Sequence, residues 1–431
     1  MAKNPRFETK ALHSGQEPDP TTLSRGVPVY RTSSYTFKNT THAANLFCLK
    51  ELGNIYTRLM NPTTDILERR LADLEGGVGG LGLASGTCAI FYSIVNLARN
   101  GDEIVSANDL YGGTYTQFNN ILPDFGIKTK FADPTDPDNI KKAITAKTKA
   151  VYTETIGNPA LNVPDFKAIA EIAHDNGVPF IVDSTFTTPA LLQPIKHGVD
   201  IVAHSLTKWI GGHGTGIGGA VVDSGNFDWA ASKKHPLLTE PDNSYHGLRY
   251  AHDLGDLTKL AYILRMRLVP LRNLGGCISP DNSWIFLQGL ETLQLRMKKH
   301  SDNAAKVSEY LSSHDLVEWV KYPGLDTHPT HDNAKKYLKD GFGGVSVFGI
   351  KGGRKAGEKF INSLGLFSHL ANVGDAKSLA IHPASTTHSQ LNEKQLEEGG
   401  ITPELVRLSV GIENADDIIE DIEQALKKSQ K

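Results

Sequence analysis

The residue types best suited to catalysis follow two neighbouring segments that are predicted to be buried strands. Asp183 ends the apolar run V-P-F-I-V-D, and Ser205, Thr207 and Lys208 end the run V-D-I-V-A-H-S-L-T-K. If both strands are parallel, their polar ends meet at the same edge of a sheet. A lysine amine forms imines with aldehydes when its surroundings lower its pKa, and hydroxyls can bind a phosphate.

A lysine, hydroxyl donors and a carboxylate are the groups that pyridoxal 5'-phosphate (PLP) requires. The lysine binds the aldehyde, the hydroxyls bind the phosphate, and the carboxylate keeps the pyridine nitrogen protonated, so that the ring stabilises a carbanion. A structural ion pair between Asp183 and Lys208 is the alternative interpretation. The hydroxyls of Ser205 and Thr207 beside the lysine favour PLP, with Lys208 as its point of attachment.

A second phosphate-binding element is predicted at Ser85-Gly86-Thr87, between a short strand and a helix. The N-terminus of a helix attracts anions through its free N–H groups and its dipole. An ordinary helix cap is the alternative, since serine and threonine are common at that position. Tyr111 follows the predicted strand at 103–107, where its ring could stack on a pyridine.

Several other functions are disfavoured. G-T-G-I-G-G (214–219) fits a dinucleotide fingerprint, but it precedes a strand rather than a helix, so its glycines are assigned to tight turns. The 16 histidines show no H-E-x-x-H or comparable cluster, and we expect no metal. The net charge of -3 predicts neither a nucleic-acid nor a membrane partner. Three scattered cysteines and the lack of a long apolar run predict a cytoplasmic protein.

Alternating helices and apolar strands must position these residues. Apolar strands separated by amphipathic helices indicate an α/β fold in which a mainly parallel sheet is covered on both faces. We predict an N-terminal arm at 1–62 that packs on a neighbouring subunit, a large cofactor-binding domain at 63–270, and a smaller C-terminal α/β domain at 271–431. The predicted helices are 64–75, 89–98, 165–175, 290–311 and 414–428, and the predicted strands are 81–84, 103–107, 150–154, 179–183, 200–203, 317–321, 344–350 and 405–410.

The motif H-S-x-T-K-[WYF]-x-x-G-H at 204–213 closely resembles that of the Cys/Met-metabolism PLP-dependent enzymes of fold type I. The resemblance extends from about residue 8 to the C-terminus. It implies that Lys208 is the Schiff-base lysine and later moves a proton, while Tyr111 stacks on the ring. It further implies that Asp183 pairs with the pyridine nitrogen, that Thr185 supports the ring, and that four residues hold the phosphate: Gly86, Thr87, Ser205 and Thr207.

The same resemblance implies a substrate site and an oligomer. Tyr56 and Arg58 match a Y-x-R motif that reaches the phosphate of the neighbouring subunit, which implies a catalytic dimer, and the family suggests a tetramer of such dimers. Asn158, in E-T-I-G-N-P, matches an asparagine that contacts cofactor and substrate. Arg407, in L-V-R-L-S-V-G-I-E, matches the arginine that binds the α-carboxylate, and Ser378 matches a loop lining that pocket.

Within the family, three features resemble the O-acetylhomoserine sulfhydrylase subgroup. These are the apparently inserted segment at 232–247, the stretch at 375–391, and Gly113, where methionine γ-lyases usually have cysteine. The resemblance implies a γ-replacement that converts O-acetyl-L-homoserine and sulfide to L-homocysteine and acetate, as in methionine biosynthesis. Cystathionine γ-synthase, methionine γ-lyase and a PLP-binding regulatory protein are the alternatives, and the acyl group and the sulfur donor stay open.

Overall fold

The computed structural model describes residues 4–386 and 401–430. In these ranges the α-helices are α1 (Phe7–His13), α2 (Thr40–Phe47), α3 (Pro62–Glu75), α4 (Gly86–Val95), α5 (Gly112–Thr116), α6 (Leu122–Asp124), α7 (Pro137–Ala143), α8 (Phe166–Asp175), α9 (Thr188–Leu191), α10 (Pro236–Thr239), α11 (Ala261–Met266), α12 (Arg272–Leu274), α13 (Pro280–Glu291), α14 (Leu293–Ser312), α15 (His331–Tyr337), α16 (Gly353–Ser363) and α17 (Ala415–Ser429). The strands are β1 (Gly79–Leu83), β2 (Glu103–Ala107), β3 (Lys128–Ala132), β4 (Thr148–Glu154), β5 (Phe180–Asp183), β6 (Ile201–Ser205), β7 (Gly219–Asp223), β8 (Val317–Lys321), β9 (Val345–Ile350), β10 (Ser368–His369), β11 (Leu379–Ile381) and β12 (Leu405–Ser409). Two sheets, of seven and five strands, organise these elements.

The larger sheet has the strand order β1-β7-β6-β5-β4-β2-β3. Five neighbouring strands, from β6 to β3, run parallel, whereas β7 is antiparallel to both β6 and β1. Alternate residues of β5 point to opposite faces, so that Phe180 and Val182 join one apolar cluster and Ile181 joins the other. Both faces of the sheet are therefore covered, as the apolar strands predict.

The smaller sheet has the order β10-β11-β12-β9-β8, with all pairs antiparallel except β10 with β11. Its apolar core includes Phe348 of β9, Val406 of β12, Phe360 of α16 and Ile422 of α17. The two helices pack against the strands because their apolar residues recur at helical spacing. This sheet carries Arg407 on β12 and the segment between β10 and β11, both of which contribute to the candidate site.

Helix α3 illustrates how the local sequence sets the element boundaries. The Asn61 side chain accepts a hydrogen bond from the N–H of Thr63, and Pro62 occupies the first helical position. The helix ends at Gly76, whose φ of 81° lies in the left-handed region that favours glycine. These signals place the start and end of the helix within a few residues of the prediction of 64–75.

The long helix predicted at 290–311 is α14 (Leu293–Ser312), and it is preceded by α13 (Pro280–Glu291), which was not predicted. The Arg296 guanidinium donates to the carbonyl oxygen of Gly289 at 2.6 Å and to that of Trp209 at 2.6 Å. A Cβ on Gly289 would lie 2.1 Å from the Ile210 carbonyl oxygen. Helix α13 and Arg296 therefore pack closely against the segment after Lys208, which periodicity alone does not reveal. Strand β3 was not predicted either.

The N-terminal arm packs partly on its own chain. Lys10 of α1 forms an ion pair with Asp73 of α3 at 2.7 Å, and Ala11 is buried against the large domain. The Tyr245 hydroxyl, in the segment at 232–247, donates to the Phe47 carbonyl oxygen at 2.7 Å. Helix α1 therefore packs on its own chain, and the predicted contact of the arm with a neighbouring subunit stays a prediction. In the described ranges, no helix is long and apolar enough to span a membrane.

Candidate active site

The carboxyl ends of β5 and β6 are joined by Thr185. Asp183 Oδ1 accepts hydrogen bonds from the Thr185 N–H at 2.8 Å and from its hydroxyl at 2.5 Å. The Thr185 Oγ1 in turn accepts from the N–H of Ser205 at 2.8 Å. Burial raises the pKa of Asp183, while the two hydrogen bonds from Thr185 act in the opposite direction. The two strands therefore bring a fixed, buried carboxylate next to the residues that precede Lys208.

Lys208 lies in the turn after β6, and its amine contacts the segment between β10 and β11 of the smaller sheet. Its Nζ donates to Asn372 Oδ1 at 2.5 Å. Burial, together with the positive charge of Arg407, lowers the pKa of Lys208 to about 8. The deprotonated amine is the form that attacks carbonyl groups, and the lowered pKa increases the fraction of molecules that contain it. Sequence reasoning did not identify Asn372, which lies just before the 375–391 stretch and has no distinctive spacing from Lys208.

The N-terminus of α4 and the end of β6 form an anion-binding cradle. Ser85 caps the helix through the N–H of Cys88 at 3.1 Å. A Cβ on Gly86 would lie 2.6 Å from Ser205 Cβ, so only glycine allows this approach. Among the described residues, the N–H groups of Gly86 and Thr87 have no hydrogen-bond partner. Free N–H groups beside a serine hydroxyl fit the phosphate of PLP. The residues present therefore fit the cofactor.

Tyr111 lies at the start of α5 and is half-exposed. Its N–H donates to Glu154 Oε1 at 2.7 Å, which fixes the main chain from which the ring projects. A Cβ on Gly113 would lie 2.5 Å from the Tyr111 ring, so the glycine makes room for that ring. Sequence reasoning did not single out Glu154, although it opens the E-T-I-G-N-P segment. The Thr207 hydroxyl bonds the backbone of Gly218 at 3.1 and 3.3 Å.

Arg407 and Asn158 lie together, whereas Ser378 serves a neighbouring turn. Arg407 Nη1 donates a long hydrogen bond of 3.5 Å to Asn158 Oδ1. Burial lowers the pKa of Arg407 to about 10, and a guanidinium with that pKa is still charged at neutral pH. The fully buried Ser378 hydroxyl donates to Glu413 Oε2 at 2.9 Å and accepts from the N–H of Gly411 at 2.8 Å. Its hydroxyl therefore holds the loop in place.

Tyr56 and Arg58 lie on the surface of this chain. The Arg58 guanidinium stacks on the Tyr56 ring at 5.1 Å, and Tyr56 is 41% exposed. Neither forms a hydrogen bond with Lys208 or Ser205 within the described residues. Residues 387–391 of the stretch noted above lie outside the described residues. Within the described ranges, no group of three or more His, Cys, Asp or Glu side chains could hold a metal ion.

Comparison with known proteins places these features in a family. Residues 8–427 match the family described as Cys/Met metabolism PLP-dependent enzyme. The chain is 54% identical to the O-acetyl-L-homoserine sulfhydrylase of Leptospira meyeri, over 99% of this chain and 98% of that protein. It is 52% identical to the homocysteine synthase of Schizosaccharomyces pombe, over 98% of each.

A solved structure gives the same result. It is a putative O-acetylhomoserine (thiol)-lyase from Campylobacter jejuni that carries N'-pyridoxyl-lysine-5'-monophosphate. It superposes with a TM-score of 0.94 at 43% identity and covers 98% of this chain and 100% of its own. The protein belongs to the Cys/Met-metabolism PLP-dependent enzymes. The predicted fold class, family and cofactor are thereby confirmed.

Proposed function

We propose that this enzyme converts O-acetyl-L-homoserine and sulfide to L-homocysteine and acetate, as in methionine biosynthesis. The observation that carries the proposal is the identity of 54% and 52% to two relatives named for this chemistry, over nearly the full length of each chain. The arrangement of Lys208, Asp183 and Arg407 supports it, because a buried amine, a buried carboxylate and a charged guanidinium are the groups that the reaction needs.

In this proposal Lys208 holds the cofactor as a Schiff base and later moves protons. When bound, PLP supplies an electron sink that stabilises negative charge at the α-carbon of the substrate. The pKa of about 8 makes Lys208 Nζ able to accept the α-proton once the amine is free, and to return a proton later. Asn372 directs that amine through its hydrogen bond. Acetate leaves from the γ-carbon, and sulfide takes its place.

The remaining residues bind and orient. Asp183 keeps the proton on the pyridine nitrogen, and the Thr185 hydrogen bonds hold that carboxylate in place. Arg407 binds the substrate α-carboxylate through two parallel N–H donors, with Asn158 beside it. The Tyr111 ring covers the pyridine. The phosphate is assigned to the N–H groups of Gly86 and Thr87 and to the hydroxyls of Ser205 and Thr207, the latter also bonded to the backbone of Gly218.

Assembly and location are part of the same proposal. Tyr56 and Arg58 reach the phosphate of a neighbouring subunit, which explains why they lie on the surface of a single chain. The enzyme is then a dimer at least, and a tetramer of dimers is proposed. Three free cysteines are consistent with a reducing cytoplasm. The chain divides into the arm at 1–62, the large domain at 63–270 and the small domain at 271–431.

One product assay tests the reaction. Purified protein is supplied with O-acetyl-L-homoserine and either sulfide, cysteine or no sulfur acceptor, and the products are identified by mass spectrometry. L-homocysteine formed only with sulfide supports the proposal. Cystathionine formed with cysteine would instead identify a cystathionine γ-synthase, and a keto acid formed without an acceptor would identify a γ-lyase. The Lys208→Ala variant is the control, and it should lose both turnover and the imine absorbance band.

A further inference from the structure

A second buried carboxyl group lies beside Asp183 at the same edge of the sheet. Glu154 is the last residue of β4, and it is paired in register with Asp183, the last residue of β5. Glu154 is 6% exposed and Asp183 is 8% exposed. Two carboxylates so placed, with little water around them, repel each other strongly if both are ionised. The pKa of each carboxyl group is therefore raised by burial, and that of Glu154 is raised further by the charge of Asp183.

The hydrogen bonds show which carboxyl group keeps the charge. Asp183 Oδ1 accepts from both the N–H and the hydroxyl of Thr185, and such donors favour the ionised form. Glu154 Oε1 accepts one hydrogen bond, from the N–H of Tyr111, which a neutral carboxyl oxygen accepts equally well. Among the described residues, Glu154 Oε2 has no partner, yet it is not sealed from solvent. That oxygen has room for a proton.

The other charged groups around Glu154 act in the same direction. Burial raises the pKa of Glu154 well above its ordinary value, and the negative charges of Asp183 and Asp109 raise it further. Asp109 accepts a hydrogen bond from Asn162 at 3.1 Å, and burial raises its pKa to about 7. Tyr152, on the same strand, stays neutral because burial raises its pKa well above 10. His204 lowers the pKa of Asp183, so it favours the negative charge on Asp183 rather than on Glu154.

We propose that Glu154 is a positioning residue that stays protonated, holds the Tyr111 main chain in place, and leaves Asp183 as the single carboxylate facing the cofactor. The proposal rests on the proposed function, in which Tyr111 covers the pyridine and Asp183 pairs with its nitrogen. A glutamine at position 154 has the shape of a protonated glutamate, and its carbonyl oxygen can accept from the Tyr111 N–H. An alanine lacks that acceptor and leaves the N–H unpaired.

The test compares E154Q and E154A with the wild-type holoenzyme. The E154Q variant should bind PLP within about twofold of wild type and keep the pH midpoint of the cofactor absorbance, whereas E154A should bind PLP about tenfold more weakly. The infrared spectrum of the wild-type holoenzyme at neutral pH should contain a protonated carboxylic acid band that E154Q lacks. A shifted absorbance midpoint in E154Q, or a spectrum unchanged by that substitution, would overturn the inference.

The outcomes separate this inference from the proposed function. Wild-type protein that forms no imine band with PLP contradicts the proposed function whatever residue 154 does. A wild-type protein that binds PLP and makes L-homocysteine, together with an E154Q variant whose cofactor absorbance titrates differently, contradicts only the assignment of the proton to Glu154. Equal PLP affinity in E154A and wild type would contradict the positioning of Tyr111.

Discussion

Lys208 Nζ donates a hydrogen bond of 2.5 Å to Asn372 Oδ1, although the two residues are 164 positions apart in the chain. Lys208 follows a strand of the larger sheet, and Asn372 lies between β10 and β11 of the smaller one. The amine is therefore oriented by an element that the large domain does not supply. The candidate site depends on the contact between the two sheets as much as on either of them.

Removing the Asn372 amide should slow the chemical step more than substrate binding. We expect N372A to lower kcat by roughly 10- to 100-fold with a smaller change in KM, because a misdirected amine reaches the substrate proton less often. Steady-state kinetics with O-acetyl-L-homoserine and sulfide measures both constants. N372S, which keeps a shorter acceptor, should be less impaired. Unchanged kcat in N372A would show that the contact does not orient the amine.

Gly86→Ala should weaken cofactor binding. The added Cβ would lie 2.6 Å from Ser205 Cβ, which forces α4 away from β6 and opens the anion-binding cradle. We expect the PLP dissociation constant to rise by about tenfold or more, as measured by absorbance titration of the apoprotein. Gly26→Ala is the matched control, since nothing lies within 4 Å of its added Cβ. Equal PLP affinity in both variants would show that Gly86 is not part of the anion-binding cradle.

Arg407→Lys should raise KM for O-acetyl-L-homoserine. A lysine keeps the positive charge but loses the two parallel donors that match a carboxylate. We expect KM to increase by roughly 10-fold or more, with PLP affinity changed little. Steady-state kinetics and cofactor titration of the same preparation separate the two effects. A normal KM would assign the α-carboxylate to another residue.

Hybrid oligomers test whether Tyr56 and Arg58 complete a neighbouring site. K208A and R58A should each be nearly inactive alone, because each lacks one essential residue at every site. After unfolding and refolding together, hybrid dimers should regain activity, since one of their two sites receives both native residues. Activity of the mixture is compared with that of each variant refolded separately. A mixture no more active than its components contradicts a shared site.

The buried amine also affects how stability depends on pH. Burial lowers the pKa of Lys208 from 10.5 to about 8, so between these values the unfolded chain holds a proton that the folded apoprotein lacks. Stability contributed by this group therefore increases as the pH rises from about 8 to 10.5. Denaturant unfolding of apoprotein should show K208M more stable than wild type at pH 8, with a smaller difference near pH 10. A constant difference would indicate an unperturbed lysine.

Strand ends are predictable from the sequence because apolar runs are followed by polar residues. Lys208 and Asp183 were predicted to meet, and the register of β5 with β6 brings their strand ends together. The pairing of Glu154 with Asp183 was not predicted, because strand order depends on contacts between distant segments, which cannot be derived from a single sequence. Asn372 was missed for the same reason, because its role depends on how the smaller sheet lies against the larger one.

Local signals also failed where packing decides the backbone. Helix α13 was not predicted, and at Gly289 it approaches the Ile210 carbonyl oxygen too closely for any side chain. Periodicity identifies the apolar face of a helix, but it does not reveal which main-chain groups that face will contact. The hydrogen bonds that fix the loop of Ser378, to Glu413 and Gly411, likewise have no local sequence signal.

The Arg296 guanidinium, near the junction of α13 and α14, also affects local unfolding. Arg296 is buried and donates hydrogen bonds to the carbonyl oxygens of Trp209, Ile210 and Gly289. One side chain therefore links the end of α13 to the turn that contains Lys208. When the Arg296 side chain moves away, the three carbonyl oxygens become exposed together. Amide hydrogen exchange at 209–212 and at 289–296 should accordingly proceed as a single cooperative opening.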